Sequence, residues 1–117
     1  MKYFNYSKFG NDKNTVDGIE FDSKRESRRY EDLKKLERSG VISDLQLQVP
    51  FELIPSHYMV INGKRKCVER ACTYIADFVY TENGERVVED VKGFKTETYK
   101  IKRKLMLYKY GIRIKEV

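Results

Sequence analysis

The sequence predicts one α/β domain with a mixed central sheet, in the order helix, three or more antiparallel strands, helix, strand. Three observations predict this fold class. A capped amphipathic segment ends at Gly40, β-rich segments broken by Asn-Gly pairs follow it, and a basic helical segment precedes a last short run of β-formers. With 117 residues, the chain fits one domain around its own core.

Residues 1–16 are polar and aromatic without a clear hydrophobic period. The stretch GNDKN within them is typical of a loop. We expect a flexible N-terminal arm over residues 1–16 and a single folded domain over residues 17–117.

The first helix is predicted to begin after Ser23. Ser23 is a good N-cap, and Glu26 follows three residues later, as in a capping box. An apolar stripe follows at helical spacing: Tyr30, Leu33 and Leu36. Because Glu26 lies on the same side as this stripe, an acid there would point at the sheet instead of into water.

Segments typical of strands come next. DLQLQVPFEL alternates apolar and polar residues with a period of two, which predicts a half-buried strand, and Pro50 indicates a bend or a sheet edge. YMVINGKRKCVER predicts a small hairpin that turns at Asn62-Gly63. CTYIADFVY and RVVEDVKG predict two further strands with a tight turn at Asn83-Gly84.

The segment KTETYKIKRKLMLYKYG predicts a second helix that ends at Gly111. We expect Ile101, Leu105 and Tyr108 to face the sheet and several cations to face outward. IRIKEV predicts the last strand, which we expect to lie parallel to Val87–Lys92 through a right-handed crossover.

The charge balance favours a polyanionic partner. Lys and Arg number 24 against 18 acids, which leaves a net charge of +6. This indicates nucleic acid first and an anionic membrane surface second, while an ordinary basic surface stays open. No apolar run is long enough for a membrane span and no secretion signal is visible, so we expect a cytoplasmic protein that spans no membrane. Two cysteines and one histidine argue against a zinc site and a disulfide framework.

The Asn83-Gly84 turn predicts a specific pairing of side chains. With these two residues in the loop, Glu82 faces Glu85. The same register brings Asp77 opposite Asp90. Directly opposed side chains lie about 4.5–5.5 Å apart at Cβ, where like charges are destabilising. Two aspartates so placed need a cation or a shared proton.

Lys92 follows Asp90 by two residues, so both project from one face of the strand, and Glu89 projects from the other. Clustered carboxylates suit a hard cation such as Mg²⁺, with Mn²⁺ as a substitute. A neighbouring lysine can orient or deprotonate a water, or neutralise developing charge. The alternative is a same-face salt bridge on a solvated sheet.

The chain resembles the PD-(D/E)XK nuclease superfamily in the order of four segments: a helix that carries an acid, YIADF, VVEDVKG and a basic helix. More closely, the chain over about residues 15–117 resembles a phage and prophage family of that superfamily, formerly described as a domain of unknown function, to which Holliday junction resolution is attributed. The resemblance implies a restriction-endonuclease-like α-β-β-β-α-β core. It also implies Mg²⁺-dependent hydrolysis of DNA that leaves 5′-phosphate and 3′-hydroxyl ends, in the cytoplasm of a bacterial host.

The resemblance also implies residue roles. Asp77 matches the first aspartate of the motif, Asp90 its second acid and Lys92 its lysine. Glu26 matches the acid found on the first helix of several members. We therefore expect these four residues to be catalytic, with Asp77, Asp90 and Glu26 as the metal ligands.

Two positions depart from the motif. Ala76 replaces its proline, which many active members also lack. Either of the adjacent acids Glu89 and Asp90 could be the second acid of the motif. Asp90 is favoured because it projects from the same face of the strand as Lys92.

Five cations on the two helices are predicted to contact DNA phosphates: Arg25, Arg29, Lys95, Lys102 and Arg103. A solvated basic face is the alternative. The leading interpretation is a Mg²⁺-dependent DNA endonuclease of phage origin acting on branched or duplex DNA. Paired cuts in a four-way junction would call for a homodimer. An end-processing or nicking nuclease, or a non-catalytic DNA-binding protein with the same fold, stays open.

Overall fold

The computed structural model describes residues 14–117 as a mixed α/β domain. Within this range the elements are β1 (Thr15–Val16), β2 (Ile19–Glu20), α1 (Lys24–Arg38), β3 (Ile42–Ile54), β4 (His57–Ile61), β5 (Lys64–Glu69), β6 (Cys72–Glu82), β7 (Glu85–Asp90), α2 (Glu97–Tyr110) and β8 (Lys115–Glu116). The predicted class and element order are confirmed. Neither of the helices in this range has both the length and the apolar character needed to cross a bilayer.

Four strands form the central sheet in the order β3-β6-β7-β8. β3 pairs antiparallel with β6, and β6 pairs antiparallel with β7. β8 runs parallel to β7, with Glu89 opposite Lys115, which confirms the predicted parallel pairing. The last strand is shorter than the predicted IRIKEV, because only Lys115–Glu116 join the ladder. β3 lies at the edge of the sheet, as Pro50 indicated.

The N-terminal boundary lies earlier than predicted. Thr15–Val16 pair antiparallel with Ile19–Glu20 in a small two-stranded ribbon, so this part of the predicted arm belongs to the folded domain. The hydroxyl of Tyr30 donates to Asp17 over 2.9 Å and ties the ribbon to α1. The rest of the predicted arm, residues 1–13, lies outside the described residues.

The capping of α1 is as predicted. The Ser23 hydroxyl oxygen accepts a hydrogen bond from the backbone amide of Glu26 over 3.1 Å. Tyr30 and Leu33 are buried against one face of the sheet, where they pack with Phe78. Glu26 shares their side of the helix and is 5% exposed, so it points inward as expected.

Both Asn-Gly turns form as predicted. Asn83 and Gly84 have φ of +52° and +76°, the left-handed pair that a type I′ turn requires and that Asn and Gly accept most readily. The β6–β7 register then runs from Glu82 opposite Glu85 to Phe78 opposite Glu89. The pairing rule inferred from the sequence is therefore confirmed along this ladder.

The two halves of β3 pack against different helices. Leu47 joins the apolar cluster beside α1, whereas Phe51 joins the cluster beside α2, although both lie at odd positions of one strand. Between them, Gln48 has a left-handed backbone with φ +53°. A left-handed residue inside a strand reorients the side chains that follow, so the faces exchange at Gln48.

β6 changes face at the matching point. Ala76 packs in the cluster beside α2, and Phe78 packs in the cluster beside α1. Asp77 lies between them and opposite Gln48, whose Nε2 is 3.5 Å from Asp77 Oδ1. As a result, Asp77 and Tyr74 reach the same side of the sheet.

Of the three α2 residues predicted to face the sheet, Leu105 packs against the core as predicted, and the prediction for Ile101 and Tyr108 is wrong. Tyr108 is 89% exposed and Ile101 is 57% exposed, whereas Tyr99 and Met106 are buried against the sheet. Apolar residues occur all around this helix, so hydrophobic spacing alone does not select a face. Lys102 lies on the inward side with Tyr99 and Met106, and its Nζ donates to the Thr73 carbonyl over 2.9 Å.

Candidate active site

Two carboxylates meet where β6 and β7 separate. The backbone ladder ends at Phe78 opposite Glu89. Beyond it, the amide of Val91 donates to Asp77 Oδ2 over 2.9 Å, so a carboxylate takes the place of a strand carbonyl. This bond draws Asp77 towards β7 and within hydrogen-bonding reach of Asp90. The predicted approach of the two aspartates is confirmed.

Asp90 is held in an environment that disfavours its charge. It is 2% exposed. Burial, then the hydrogen bond and negative charge of Asp77, raise the pKa of Asp90 to about 8. The Tyr74 hydroxyl donates to Asp90 Oδ2 over 3.0 Å, and burial raises the pKa of Tyr74, which keeps it protonated as a donor. The pair is therefore strained whenever both carboxylates are ionised.

Lys92 lies beside the two aspartates and contacts Asp90. Its Nζ lies 3.3 Å from Asp90 Oδ2 and 4.2 Å from the centroid of the Tyr99 ring. Tyr99 is itself held by the hydrogen bond that its hydroxyl donates to Glu116 over 2.6 Å. The ammonium group is therefore positioned between a carboxylate and an aromatic face, as a same-face Asp-x-Lys pair allows.

One cavity of about 420 Å³ brings the predicted residues together. Its lining includes all four residues predicted to be catalytic: Glu26, Asp77, Asp90 and Lys92. Lys102, predicted to bind DNA, lines the same cavity. The cavity lies between the N-terminal turns of α1 and α2, at the end of the sheet where β6 and β7 part.

The donor set fits a hard divalent cation. Asp77 and Asp90 present adjacent carboxylates, and a cation between them would offset both the burial of the Asp90 charge and its repulsion by Asp77. Mg²⁺ commonly takes one or two carboxylates and keeps several waters. Among residues 14–117, no three acidic, histidine or cysteine side chains converge into a complete ligand group. Glu26 shares the cavity with the pair without joining it in such a group, and its direct coordination of a metal stays a prediction.

The two adjacent acids of β7 have different surroundings. Glu89 is completely buried on the α1 side, where both carboxylate oxygens accept hydrogen bonds from the guanidinium of Arg29. The Tyr80 hydroxyl donates to Glu89 as well. Glu89 is therefore occupied within the core, and Asp90 is the acid that faces Asp77.

The contacts of the cations predicted to bind DNA differ, and they determine which of these cations could reach a phosphate. The hydrogen bonds that Arg29 donates to Glu89 raise the pKa of Arg29 and hold its guanidinium inward, which leaves less of the guanidinium for a phosphate. Arg25 lines a separate cavity of about 210 Å³. Lys95 and Arg103 share Glu116, at 3.7 and 3.0 Å, and remain partly exposed. Of the five predicted cations, Lys102 is the one that lines the cavity of Asp77 and Asp90.

Three residues of the site were not predicted: Tyr74, Gln48 and Tyr99. Strand parity places Tyr74 on the opposite face from Asp77, and only the change of face at Gln48 brings the two together. Tyr99 was not selected, because the apolar stripe was assigned to a different side of α2. An unassigned tyrosine in the first turn of that helix, seven residues after Lys92, was the available signal.

Comparison with family models assigns the chain to a family. The model of a family described as "Protein of unknown function (DUF1064)" matches residues 6–116, which is nearly the whole length. The chain is a member of the DUF1064 family. A search of curated proteins found no match. The DUF1064 description names no reaction, so the chemistry has to be argued from the cavity and its residues.

Proposed function

We propose that this DUF1064 protein is a metal-dependent DNA endonuclease that hydrolyses phosphodiester bonds, with branched DNA as its substrate. The observation that supports the proposal most is the placement of Asp77, Asp90, Lys92 and Glu26 around one cavity. Carboxylates that repel each other, with a lysine 3.3 Å away, suit a cation-assisted reaction on a phosphate.

The element order supports a restriction-endonuclease-like core. Such a core has a helix, three antiparallel strands, a second helix and a parallel fourth strand, in the order that α1, β3, β6, β7, α2 and β8 follow here. In this interpretation the β4–β5 hairpin is an insertion between the first two core strands. The paired acids then lie where the second and third strands separate.

Each side chain of the cavity has a role in this proposal. Asp77 and Asp90 would hold Mg²⁺ or Mn²⁺. When bound, the cation supplies positive charge to the scissile phosphate. Lys92 donates to the phosphate or to the attacking water and stabilises the negative charge that develops. Glu26, on the opposite wall, accepts a hydrogen from that water and orients it.

Positive charge around the cavity would bring a phosphate to these residues. Lys102 lines it, and the N-terminal turns of α1 and α2 flank it with the positive ends of their dipoles. The basic chain, with a net charge of +6, would add long-range attraction for DNA.

Cleavage of labelled DNA tests the proposal. The full chain is incubated with a four-way junction, a linear duplex and a single strand, in Mg²⁺, in Mn²⁺ and in EDTA. We expect cleavage that needs the cation, and paired symmetric nicks in the junction. Nicks in linear duplex alone would indicate an end-processing or nicking nuclease instead.

Matched variants locate the reaction. Asp77→Asn should remove cleavage, while Glu85→Gln, an exposed acid-to-amide change on β7, should leave it intact. Failure of the wild type to cut any of the three substrates would refute the nuclease, and cleavage by Asp77→Asn at the wild-type rate would refute the site. Paired junction cuts need two sites, so sedimentation of the protein–junction complex should find two copies.

A further inference from the structure

The β4–β5 hairpin stands apart from the central sheet. Its two strands pair only with each other, as a separate two-stranded sheet. Every residue of β4 is exposed, including Val60 at 73% and Met59 at 52%. An isolated two-stranded hairpin is only marginally stable in water. The large exposed apolar surface of this hairpin therefore indicates a binding role.

The hairpin is strongly basic. Residues 55–71 contain four cations, Lys64, Arg65, Lys66 and Arg70, against one acid, Glu69. The resulting net +3 is half the charge of the whole chain. Within residues 14–117, none of the three cations on β5 forms an ion pair.

Cations and apolar side chains alternate on both faces of this ribbon. Cross-strand pairing puts Val60 opposite Arg65 and Met59 opposite Lys66, on opposite faces. The Arg65 guanidinium lies over the Tyr58 ring, 3.9 Å from its centroid, so a cation and an aromatic ring are in contact on one face. Either face therefore offers positive charge beside an apolar contact.

The base of the hairpin adjoins the candidate active site. The Ser56 hydroxyl oxygen accepts from the Ala71 amide over 3.1 Å and closes the base. The chain then continues into β6, whose early residues Thr73 and Tyr74 line the cavity that contains Asp77. The ribbon thus leaves the domain from the rim of that cavity.

We propose that the β4–β5 ribbon binds duplex DNA, with its cations on the phosphates of the arm that extends beyond the cavity. The proposal rests on the DNA substrate inferred above. Five paired positions span about 17 Å, roughly half a turn of B-DNA, and a two-stranded ribbon fits the major groove. A second copy of the chain is a poorer occupant, because two ribbons of net +3 would repel each other.

Binding measured in EDTA tests the ribbon separately from cleavage. Wild type, Lys64→Gln/Arg65→Gln/Lys66→Gln, and the control Lys34→Gln/Lys35→Gln/Arg38→Gln are titrated onto a duplex of about 30 base pairs, three helical turns. The control removes three cations at the far end of α1, away from the cavity. Circular dichroism melting establishes that each variant is folded.

The ribbon variant should bind at least tenfold more weakly than the control. Its plot of log K against log salt should be shallower by about 2 to 3, because each lost phosphate contact removes about 0.9 from the slope. Between 50 and 200 mM salt, the wild type should therefore lose about 40-fold more affinity than the ribbon variant. Equal affinities or equal slopes for the two triple variants would overturn the proposal.

Two further outcomes separate the alternatives. If Val60→Asp dissociates a dimer that forms without DNA, the ribbon is a contact between copies and the proposal is overturned. If ribbon-dependent DNA binding occurs in EDTA but no DNA is cut in Mg²⁺, the ribbon is supported and the nuclease fails. Normal cleavage by a ribbon variant whose DNA affinity equals that of the wild type would overturn the ribbon while the nuclease stands.

Discussion

Asp90→Asn is expected to stabilise the metal-free protein at alkaline pH. The carboxyl is buried beside Asp77 and has a pKa of about 8, far above its usual 3.8. As the pH rises from about 4 to 8, the unfolded chain loses a proton that the folded chain keeps, so the stability of the wild type falls. Asparagine cannot ionise and still offers an oxygen to the Tyr74 hydroxyl, so the variant lacks this loss.

Burial, the largest cause of the raised pKa, adds to this gain, and two opposing charge interactions set its lower bound. Two unit charges about 5 Å apart repel by about 3 kcal/mol at an effective dielectric constant of about 20. The amide also loses the attraction of Lys92, whose partly exposed ammonium contributes about 1 kcal/mol. The gain is therefore at least about 2 kcal/mol at pH 8.5, which corresponds to a Tm increase of at least about 8 °C for a domain of this size.

Thermal melts in EDTA at pH 5 and pH 8.5 measure this difference. The gain should be smaller at pH 5 than at pH 8.5, because the wild-type loss accumulates from about pH 4 to pH 8 and only part of it has occurred at pH 5. Mg²⁺ should raise the Tm of the wild type at pH 8.5 and leave Asp90→Asn unchanged. Glu85→Gln, the exposed control on β7, should shift stability by less than about 0.5 kcal/mol at either pH. The same gain at both pH values would refute the electrostatic reasoning.

Three further expectations concern other parts of the molecule. Glu89→Gln should lower the free energy of unfolding by about 3–5 kcal/mol in urea titrations, because it leaves the Arg29 charge without its buried partner; unchanged stability would contradict that pairing. Met106→Ala should cost about 2–5 kcal/mol and Tyr108→Ala under about 0.5, and the reverse order would restore the face of α2 predicted from sequence. Lys92→Ala should slow Mg²⁺-dependent cleavage at least about 100-fold with DNA binding in EDTA unchanged; an equal loss of binding would make Lys92 an anchor for DNA.

Rules for turns and strands were sufficient to predict those parts of the fold that depend on residues close together in the sequence. The Asn83-Gly84 pair selects one turn type, and that turn fixes the register out to Phe78 and Glu89. Parity along β7 then separates Glu89 from Asp90. The paired acids were predictable because every step from the turn to the site is short and regular.

The errors arose where local patterns leave several solutions. Apolar residues surround α2, so its buried face depends on tertiary contacts such as the bond from Tyr99 to Glu116. The unbroken alternation of β3 does not reveal that Gln48 adopts a left-handed backbone. That single residue moves Tyr74 to the side of Asp77, so the hydroxyl that contacts Asp90 could not be found by counting along the strand.

Glu89 and Asp90 show that burial alone does not identify a reactive acid. Both are almost inaccessible, and they are neighbours on one strand. Glu89 accepts two hydrogen bonds from the Arg29 guanidinium and one from the Tyr80 hydroxyl, so a positive charge lies directly against its carboxylate. Asp90 meets another carboxylate, and Lys92, at 3.3 Å, offsets only part of that repulsion. A compensated charge needs nothing more, whereas an uncompensated pair that opens onto a cavity gains stability from a cation. The difference between the two neighbouring acids is therefore the physical reason why the proposed metal site includes Asp90 and not Glu89.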